Sequence, residues 1–307
     1  MIVYLSEYIH PEPRKQLEQE AVIVDNFDHI EDIDAILVRR FRVDEELMNK
    51  AKNLKLVAVH GVGYDMVDIE AAKRHGIAVT NTPQANSDSV AELVTGLTID
   101  LERNILQADS ACHQSLVKRS APAELKGYSI HGKTLGQIAI GNVGSRVGKI
   151  MKNAFAMKVL AYDPYVPDER FEELGFTRVH SLEELIKNAD VVNVSTPLNE
   201  ETRNLIHGEM FTWFKPHAIL LNCARGGIVN EKDLYDALKT GKVMAAACDV
   251  FEKEPPTAAT PLLSLPNFIA TPHQGANTEE ATRNMAQMAV NEILRLKKGE
   301  KFLNRVV

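Results

Sequence analysis

The chain is poor in cysteine, in basic charge and in long apolar runs, and each shortage excludes a class of protein. Three cysteines among 307 residues are too few for a disulfide framework or a cysteine-rich zinc site. No apolar run approaches the roughly 20 residues that a membrane helix needs. The first 15 residues turn polar after a short apolar start, so no signal-peptide core is expected. A reducing compartment, the cytoplasm, is the expected location.

An excess of basic charge is also missing. Thirty-five Lys and Arg residues stand against 42 Asp and Glu residues, which gives a net charge of -7. This balance argues against a nucleic-acid partner held through its phosphates. Hydrophobic residues make up 45% and charged residues 25%, which is typical of a globular protein. At roughly 150 residues per domain, the length predicts two domains.

Short apolar runs alternate with amphipathic stretches in the first third of the chain. Such alternation is typical of a parallel sheet with helices on both faces. Asp44 and Asp65 are possible N-caps of the two clearest helices. The predicted strands are 2–5, 21–24, 35–38, 56–59 and 77–80, and the predicted helices are 44–51 and 67–75.

A long helical pattern over 87–116 interrupts the alternation, which then resumes. The second long helix, 277–298, with Asn277 as its expected N-cap, mirrors the first, so we expect the chain to return to the first domain. The later predictions are strands at 135–140, 158–163, 191–195, 218–223, 245–251 and 267–271 and helices at 144–156, 181–187 and 231–240.

A glycine turn joins a predicted strand to a predicted helix at 134–148, which reads TLGQIAIGNVGSRVG. This is the dinucleotide-binding arrangement G-x-G-x-x-G with Ala139 in place of the first glycine. Gly141 would let the backbone approach a pyrophosphate, and Gly144 would let the helix pack closely on the strand. The first glycine serves a tight turn, and alanine can serve it too if its φ stays negative.

Asp163 ends the next predicted strand, 22 residues after Gly141. An acidic residue at about this distance bonds the ribose hydroxyls of NAD, and it would repel the 2′-phosphate of NADP. The alternative interpretation is an ordinary strand-end turn residue before Pro164. The glycine turn and Asp163 together favour an NAD site.

Three polar residues follow predicted strands near their carboxyl ends, where ligands bind in open α/β sheets. Arg225 suits a planar carboxylate, His273 can move a proton near neutral pH, and Glu254 would orient the imidazole. Each has a plainer alternative: a surface strand end for Arg225, a solvated loop charge for Glu254 and a core histidine for His273. Their joint placement favours a catalytic set.

Together these segments resemble the D-isomer-specific 2-hydroxyacid dehydrogenase family over nearly the whole chain. The similarity is closest to a short form of its phosphoglycerate dehydrogenase branch. The segments that carry it are HGVGYDMVD, GKTLGQIAIGNVG, STPLNEETRNLI, LLNCARGGIVNEKDLYDAL, DVFEKEPP and TPHQGANTEEA.

The resemblance implies an α/β fold of two Rossmann-like or flavodoxin-like parallel-sheet domains. Residues 1–98 with 282–307 would bind substrate, a discontinuous domain, and 99–281 would bind NAD. The implied roles are catalytic for Arg225, Glu254 and His273, substrate-binding for Arg39, Val62 and Gly63, and NAD-binding for Gly141, Asn142, Val143, Asp163, Thr196, Cys223, Ala224 and Asp249, with no metal.

The resemblance also implies the activity and the open alternatives. The expected reaction is hydride transfer between NAD and C2 of a small D-2-hydroxy acid, 3-phosphoglycerate being one candidate and glyoxylate or hydroxypyruvate reduction another. A non-enzymatic NAD(H)-dependent corepressor is an alternative of another class.

Arg39, Arg40 and Arg42 form either a phosphate site or a solvated basic turn. Asn142 stands where an arginine usually reaches the pyrophosphate. A homodimer is expected, without nucleic-acid or membrane partners.

Overall fold

A computed structural model describes residues 1–307 as two compact units. Unit 1 consists of Met1–Ser89 with Ala276–Val307, and unit 2 is Val90–Gly275. The divisions at 89/90 and 275/276 lie nine and six residues before the expected divisions at 98/99 and 281/282. No helix is both long and apolar enough to span a bilayer.

Every strand belongs to one of two sheets whose pairings are all parallel. Unit 1 has the order β2-β1-β3-β4-β5, and unit 2 has the order β12-β11-β10-β9-β6-β7-β8. The strands are β1 (Ile2–Leu5), β2 (Val22–Val24), β3 (Ala35–Val38), β4 (Leu56–Val59), β5 (Ala78–Thr80), β6 (Thr134–Ile138), β7 (Lys158–Tyr162), β8 (Thr177–Arg178), β9 (Val191–Val194), β10 (Ile219–Asn222), β11 (Ala245–Cys248) and β12 (Phe268–Ala270).

The strands read as continuous apolar runs because helices cover both faces of each sheet. Two hydrophobic clusters lie in unit 1 and two in unit 2. The helices are α1 (Pro11–Glu20), α2 (Glu45–Lys50), α3 (Ile69–His75), α4 (Ser87–Arg103), α5 (Ile105–His113), α6 (Asn142–Phe155), α7 (Asp168–Leu174), α8 (Leu182–Asn188), α9 (Glu231–Lys239) and α10 (Glu279–Lys298).

Two predicted caps are wrong by a few residues. The N-cap of α3 is Asp68, not Asp65, and its carboxylate accepts from the Ala71 N–H at 2.9 Å. The N-cap of α10 is Thr278, not Asn277. In both cases a polar residue of the right type, one or three residues further along the chain, lies closer to the first helical turn, and sequence does not choose between such candidates.

The single long helix predicted at 87–116 is also wrong, because the chain breaks between α4 and α5. Asn104 has φ +53°, a left-handed conformation that asparagine tolerates. At the break the Asp100 carboxylate accepts from the Leu106 N–H at 2.9 Å. The Glu102 carbonyl accepts instead from the Tyr128 N–H at 2.7 Å. These two contacts replace the helical hydrogen bond between residues 102 and 106.

Helix α10 returns the chain to unit 1. It packs on α1 and on β4. Its apolar face, with Ala289 and Ile293, is buried in one cluster with Leu17 and Leu56. The last residues of the chain therefore complete the core that the first residues begin.

Candidate active site

The turn between β6 and α6 leaves the start of α6 without a side-chain cap. The N-cap is Gly141, which has no side chain to accept from the first-turn N–H groups. By contrast, Ser181 caps α8 through its hydroxyl, which accepts from Glu184 N–H at 3.1 Å. Uncapped N–H groups and the helix dipole make the start of α6 suitable for a phosphate anion.

The glycines of the turn have the expected spacing, but the alanine differs from expectation. A Cβ on Gly144 would lie 2.1 Å from the Ala139 carbonyl oxygen, so only glycine lets α6 approach β6 this closely. A Cβ on Gly141 would meet nothing within 4 Å, which leaves open space beside the backbone. Ala139 has φ +65°, so the condition that an alanine keeps a negative φ here is not met. The turn needs the left-handed conformation that the missing glycine would adopt without strain.

Asp163 lies directly after β7 and faces the glycine turn. Its carboxylate accepts from the Ile140 N–H at 3.0 Å and from the Tyr165 N–H at 3.1 Å. The residue is 8% exposed. A fixed negative charge at this point fits ribose hydroxyls and opposes a 2′-phosphate.

A cation that the motif did not indicate lies one helical turn into α6. The Arg146 guanidinium donates to the Asn142 carbonyl at 2.9 Å, which places it near the start of the helix. Asn142 is exposed and Val143 is half-buried at the same turn. Arg146 was not predicted as the cation of this turn, because the dinucleotide-binding motif has its basic residue at position 142 and not at 146.

The other residues expected at the NAD site follow strands of the same sheet. Thr196 follows β9, and Cys223 and Ala224 follow β10 directly. Burial, with the nearby Asp249 as a second cause, raises the pKa of Cys223 well above its usual range, so the thiol stays neutral.

His273 and Glu254 form a close pair in unit 2. His273 Nδ1 lies 2.7 Å from Glu254 Oε2, and Glu254 Oε1 accepts from the Phe251 N–H at 3.1 Å. Since an ionised carboxylate only accepts, His273 Nδ1 carries the hydrogen and donates it. That tautomer leaves Nε2 to accept or give a proton. The two side chains are 31% and 30% exposed, so the pair is reachable from outside.

Arg225 lies three residues beyond β10, in a turn that packs against the segment preceding Glu254. The Asn222 side-chain amide donates to the Arg225 carbonyl at 3.0 Å and fixes the turn. A Cβ on Gly226 would lie 1.9 Å from the Phe251 carbonyl oxygen. Gly226 is thus required for the two loops to touch, and the double glycine at 226–227 is the only signal of this role in the sequence.

Asp249 holds the loop that carries His273. Its carboxylate accepts from the Thr271 hydroxyl at 2.5 Å and from the Gln274 and Gly275 N–H groups at 2.8 Å each. Its carbonyl accepts from the His273 N–H at 2.7 Å. These bonds support the left-handed backbone of His273, with φ +52°. Asp249 is 1% exposed, and its expected place beside NAD stays a prediction.

The residues expected to bind substrate from unit 1 follow two neighbouring strands. Arg39 follows β3 and is half-buried, and Val62 and Gly63 follow β4. Val62 is 37% exposed, and its carbonyl accepts from the Asn81 side chain at 2.8 Å. Because β3 and β4 are paired and parallel, these residues lie at one edge of the sheet.

Comparison with known proteins identifies the family. Residues 95–275 match the model of the D-isomer specific 2-hydroxyacid dehydrogenase, NAD binding domain. The chain belongs to the D-isomer specific 2-hydroxyacid dehydrogenase family. The matched range covers almost all of unit 2, so the glycine turn and Asp163 lie in an NAD-binding domain.

Individual relatives agree with this family. The D-3-phosphoglycerate dehydrogenase of Methanocaldococcus jannaschii is 44% identical over 272 residues, 88% of this chain and 51% of that protein. The hydroxypyruvate reductase of Thermotoga maritima is 41% identical over 87% of this chain and 85% of that protein. A solved structure from Thermus thermophilus has a TM-score of 0.93 and 33% identity, with 100% of both chains covered. The chain thus spans about half the length of the phosphoglycerate dehydrogenase relatives.

Proposed function

We propose that this protein is an NAD-dependent oxidoreductase that transfers a hydride at C2 of a small D-2-hydroxy acid or 2-keto acid. The observation that carries the proposal is the His273–Glu254 pair, 2.7 Å apart, in the unit that matches the NAD-binding domain. A general acid–base beside a hydride acceptor is what oxidation of a secondary alcohol requires.

The proposed roles follow from the geometry of each group. His273 Nε2 takes the C2 hydroxyl proton during oxidation and returns it during reduction. Glu254 keeps the Nδ1–H oriented and stabilises the imidazolium through its charge. Arg225 binds the substrate carboxylate with two parallel hydrogen bonds. NAD supplies the hydride acceptor. In unit 1, Val62 and Gly63 would bind substrate through their backbone N–H groups.

For the substrate we propose 3-phosphoglycerate, with hydroxypyruvate or glyoxylate as the alternative. Arg39 supports the phosphorylated acid, because a half-buried guanidinium at a strand end can bind a phosphate. The 44% identity to a D-3-phosphoglycerate dehydrogenase supports 3-phosphoglycerate. The 41% identity to a hydroxypyruvate reductase supports the alternative.

The test follows NADH absorbance with 3-phosphoglycerate, D-glycerate, hydroxypyruvate and glyoxylate. We expect turnover with at least one of them, and His273→Gln should lower kcat by about two to four orders of magnitude. NADH binding, measured by fluorescence, should persist in that variant. Binding of NADH without turnover of any acid would instead favour a corepressor-like function, and near-normal kcat in His273→Gln would remove His273 from the chemistry.

We also propose that the chain forms a homodimer through unit 2. Helix α5 buries none of its residues, and Ile105 and Leu106 are 49% and 55% exposed at its start. Leu116, three residues beyond the helix, is 64% exposed. Several large apolar side chains exposed along one segment favour a protein interface. Leu106→Asp should convert the dimer to a monomer in sedimentation, whereas Leu303→Asp, at an even more exposed site in unit 1, should not; a wild-type monomer would contradict the proposal.

A further inference from the structure

The turn between β6 and α6 contains a strained residue at the position where the dinucleotide-binding motif has its first glycine. Ala139 has φ +65°, a left-handed conformation that glycine adopts freely and that costs an alanine free energy. A residue keeps such a conformation only where the surrounding structure holds it there. The contacts of Ala139 therefore decide whether the turn keeps the shape that binds a dinucleotide.

The peptide group between Ala139 and Ile140 is held at both ends by side chains. Its carbonyl accepts from Gln137 Nε2 at 2.9 Å, and its N–H donates to Asp163 Oδ2 at 3.0 Å. The N–H of Ala139 itself donates to the Tyr162 carbonyl at 2.8 Å. Asp163 already belongs to the expected cofactor site, whereas Gln137 has no role in the chemistry described above.

The side-chain amide of Gln137 can point only one way. Its Nε2 lies 2.9 Å from the Ala139 carbonyl and 3.1 Å from that of Ile138, and because carbonyls only accept, both hydrogens of Nε2 are used there. Its Oε1 accepts from Asn193 Nδ2 at 2.8 Å. Asn193 Nδ2 also donates to Ser195 Oγ at 3.1 Å. Three side chains thus connect the turn to the end of β9.

This pair of amides is not explained by the stability of the sheet. Gln137 and Asn193 are directly paired across β6 and β9, and both are 0% exposed. The preceding residues Leu135 and Val191, paired in the same way, are apolar and equally buried. Asn193 Oδ1 has no hydrogen-bond partner, which is costly in the interior. Two apolar side chains would avoid that cost but would leave the Ala139 carbonyl without its donor.

We propose that Gln137 is a positioning residue for NAD binding. Its amide, oriented by Asn193, holds Ala139 in the left-handed conformation that the absent glycine would adopt freely. The uncapped N–H groups that follow Gly141 then stay where a pyrophosphate can bind. This role rests on the proposed function only in that NAD is the cofactor, and it concerns binding and not hydride transfer.

The test is a double-mutant cycle between positions 137 and 139, read by fluorescence titration of the full-length protein with NADH. Gln137→Met keeps the length of the side chain and removes the donor, so the Kd should rise about tenfold. Ala139→Gly should bind NADH at least as tightly as the wild type, because glycine needs no support in this conformation. In the double variant the amide is no longer needed, and the Kd should return to within about threefold of the Ala139→Gly value.

Asn193→Leu tests the same role from the other end of the pair. It keeps Gln137 but removes the bond that orients its amide, so the Kd should rise and should again be restored by Ala139→Gly. Thr98→Val is the matched control, since it removes a fully buried hydroxyl of unit 2 that donates to the Val94 carbonyl of its own helix at 2.7 Å. It should leave the Kd unchanged.

The rescue by glycine separates a positioning role from a merely structural one. A Kd in the double variant as high as in Gln137→Met would overturn the proposal, as would unchanged binding in both Gln137→Met and Asn193→Leu. Urea unfolding identifies variants that do not fold. Folding that is lost in these two variants and restored by Ala139→Gly supports the proposal, and folding that is lost in both backgrounds overturns it.

Failure of the proposed function gives a different result. A wild-type protein that binds NADH and turns over no 2-hydroxy acid would refute the proposed reaction, and the rescue of NADH binding would still be expected. A wild-type protein that binds no NADH would overturn both.

Discussion

Glu7 shows how one side chain stabilises the loop that presents Arg39. Its two carboxylate oxygens accept from three successive backbone N–H groups, and the Ser6 hydroxyl donates to it as well. Burial by itself would raise the pKa of Glu7, but these hydrogen bonds together lower it. The backbone of Arg39 and Arg40 therefore belongs to a turn that is built around the Glu7 carboxylate.

Glu7→Gln should lower the free energy of unfolding by about 1–2 kcal/mol at neutral pH, because hydrogen bonds to a charged acceptor are lost. The folded pKa lies below the unfolded one, so the stabilisation is complete above the unfolded pKa and disappears as pH falls through the folded value. Urea unfolding of both proteins should converge below about pH 4. Glu172→Gln, on the exposed side of α7, is the control and should show no such convergence; a constant difference at every pH would contradict the pKa direction.

At the same scale, the residues proposed to be catalytic could be selected from the sequence, but the contacts that hold them in place could not. Arg225, Glu254 and His273 were found because each follows an apolar run. Nothing in the sequence indicated that Asp249 binds the loop of His273 or that Gly226 touches the Phe251 carbonyl. Each of these contacts joins two segments that are about 25 residues apart in the chain. The pattern of residues within a short segment does not indicate which distant segment it will contact.

At the scale of elements, two glycines of the β6–α6 turn are expected to have different roles. Gly144 is needed for folding, and Gly141 is needed for cofactor binding. Gly144→Ala should cost about 2 kcal/mol or more in unfolding free energy, because its Cβ would meet the Ala139 carbonyl at 2.1 Å. Gly141→Ala should leave stability nearly unchanged and weaken NADH binding at least about tenfold, because its Cβ would fill the open space beside the backbone.

Urea unfolding and NADH fluorescence titration of both variants check this prediction. Gly96→Ala, an exposed helical position in α4 with nothing within 4 Å, is the matched control and should stabilise by up to about 1 kcal/mol. Equal losses of stability in Gly141→Ala and Gly144→Ala would contradict the steric difference between the two positions, and unchanged NADH affinity in Gly141→Ala would show that the cofactor does not use the open space.

Element boundaries were predictable to within a few residues, except where tertiary contacts competed with periodicity. The apolar spacing continues through 87–116, yet the chain breaks at Asn104 because Asp100 and Tyr128 bind the groups that a continuous helix would pair. Short elements between stronger signals were missed, namely α7 and the two-residue strand β8.

At the scale of the whole molecule, each unit has cores of its own. The two clusters of unit 2 contain residues from Ala91 to Ala270 only, and those of unit 1 draw on both ends of the chain. A fragment of residues 87–275 should therefore fold, unfold cooperatively in urea and bind NADH. A fragment of residues 1–275 lacks α10 and uncovers Leu17 and Leu56, so limited proteolysis should degrade its first 89 residues. A stable residue 1–89 segment in that fragment would contradict this account.

The sequence by itself determined the class of the fold, its parallel sheets and the set of polar residues that follow strands and are proposed to be catalytic, because burial on both faces and strand-end polarity leave strong local patterns. The tertiary structure decided the left-handed turn at Ala139, the hydrogen-bonded pair of His273 and Glu254, and the buried amide pair of Gln137 and Asn193. These features depend on which distant segments meet, and chain packing fixes that only after the elements have formed.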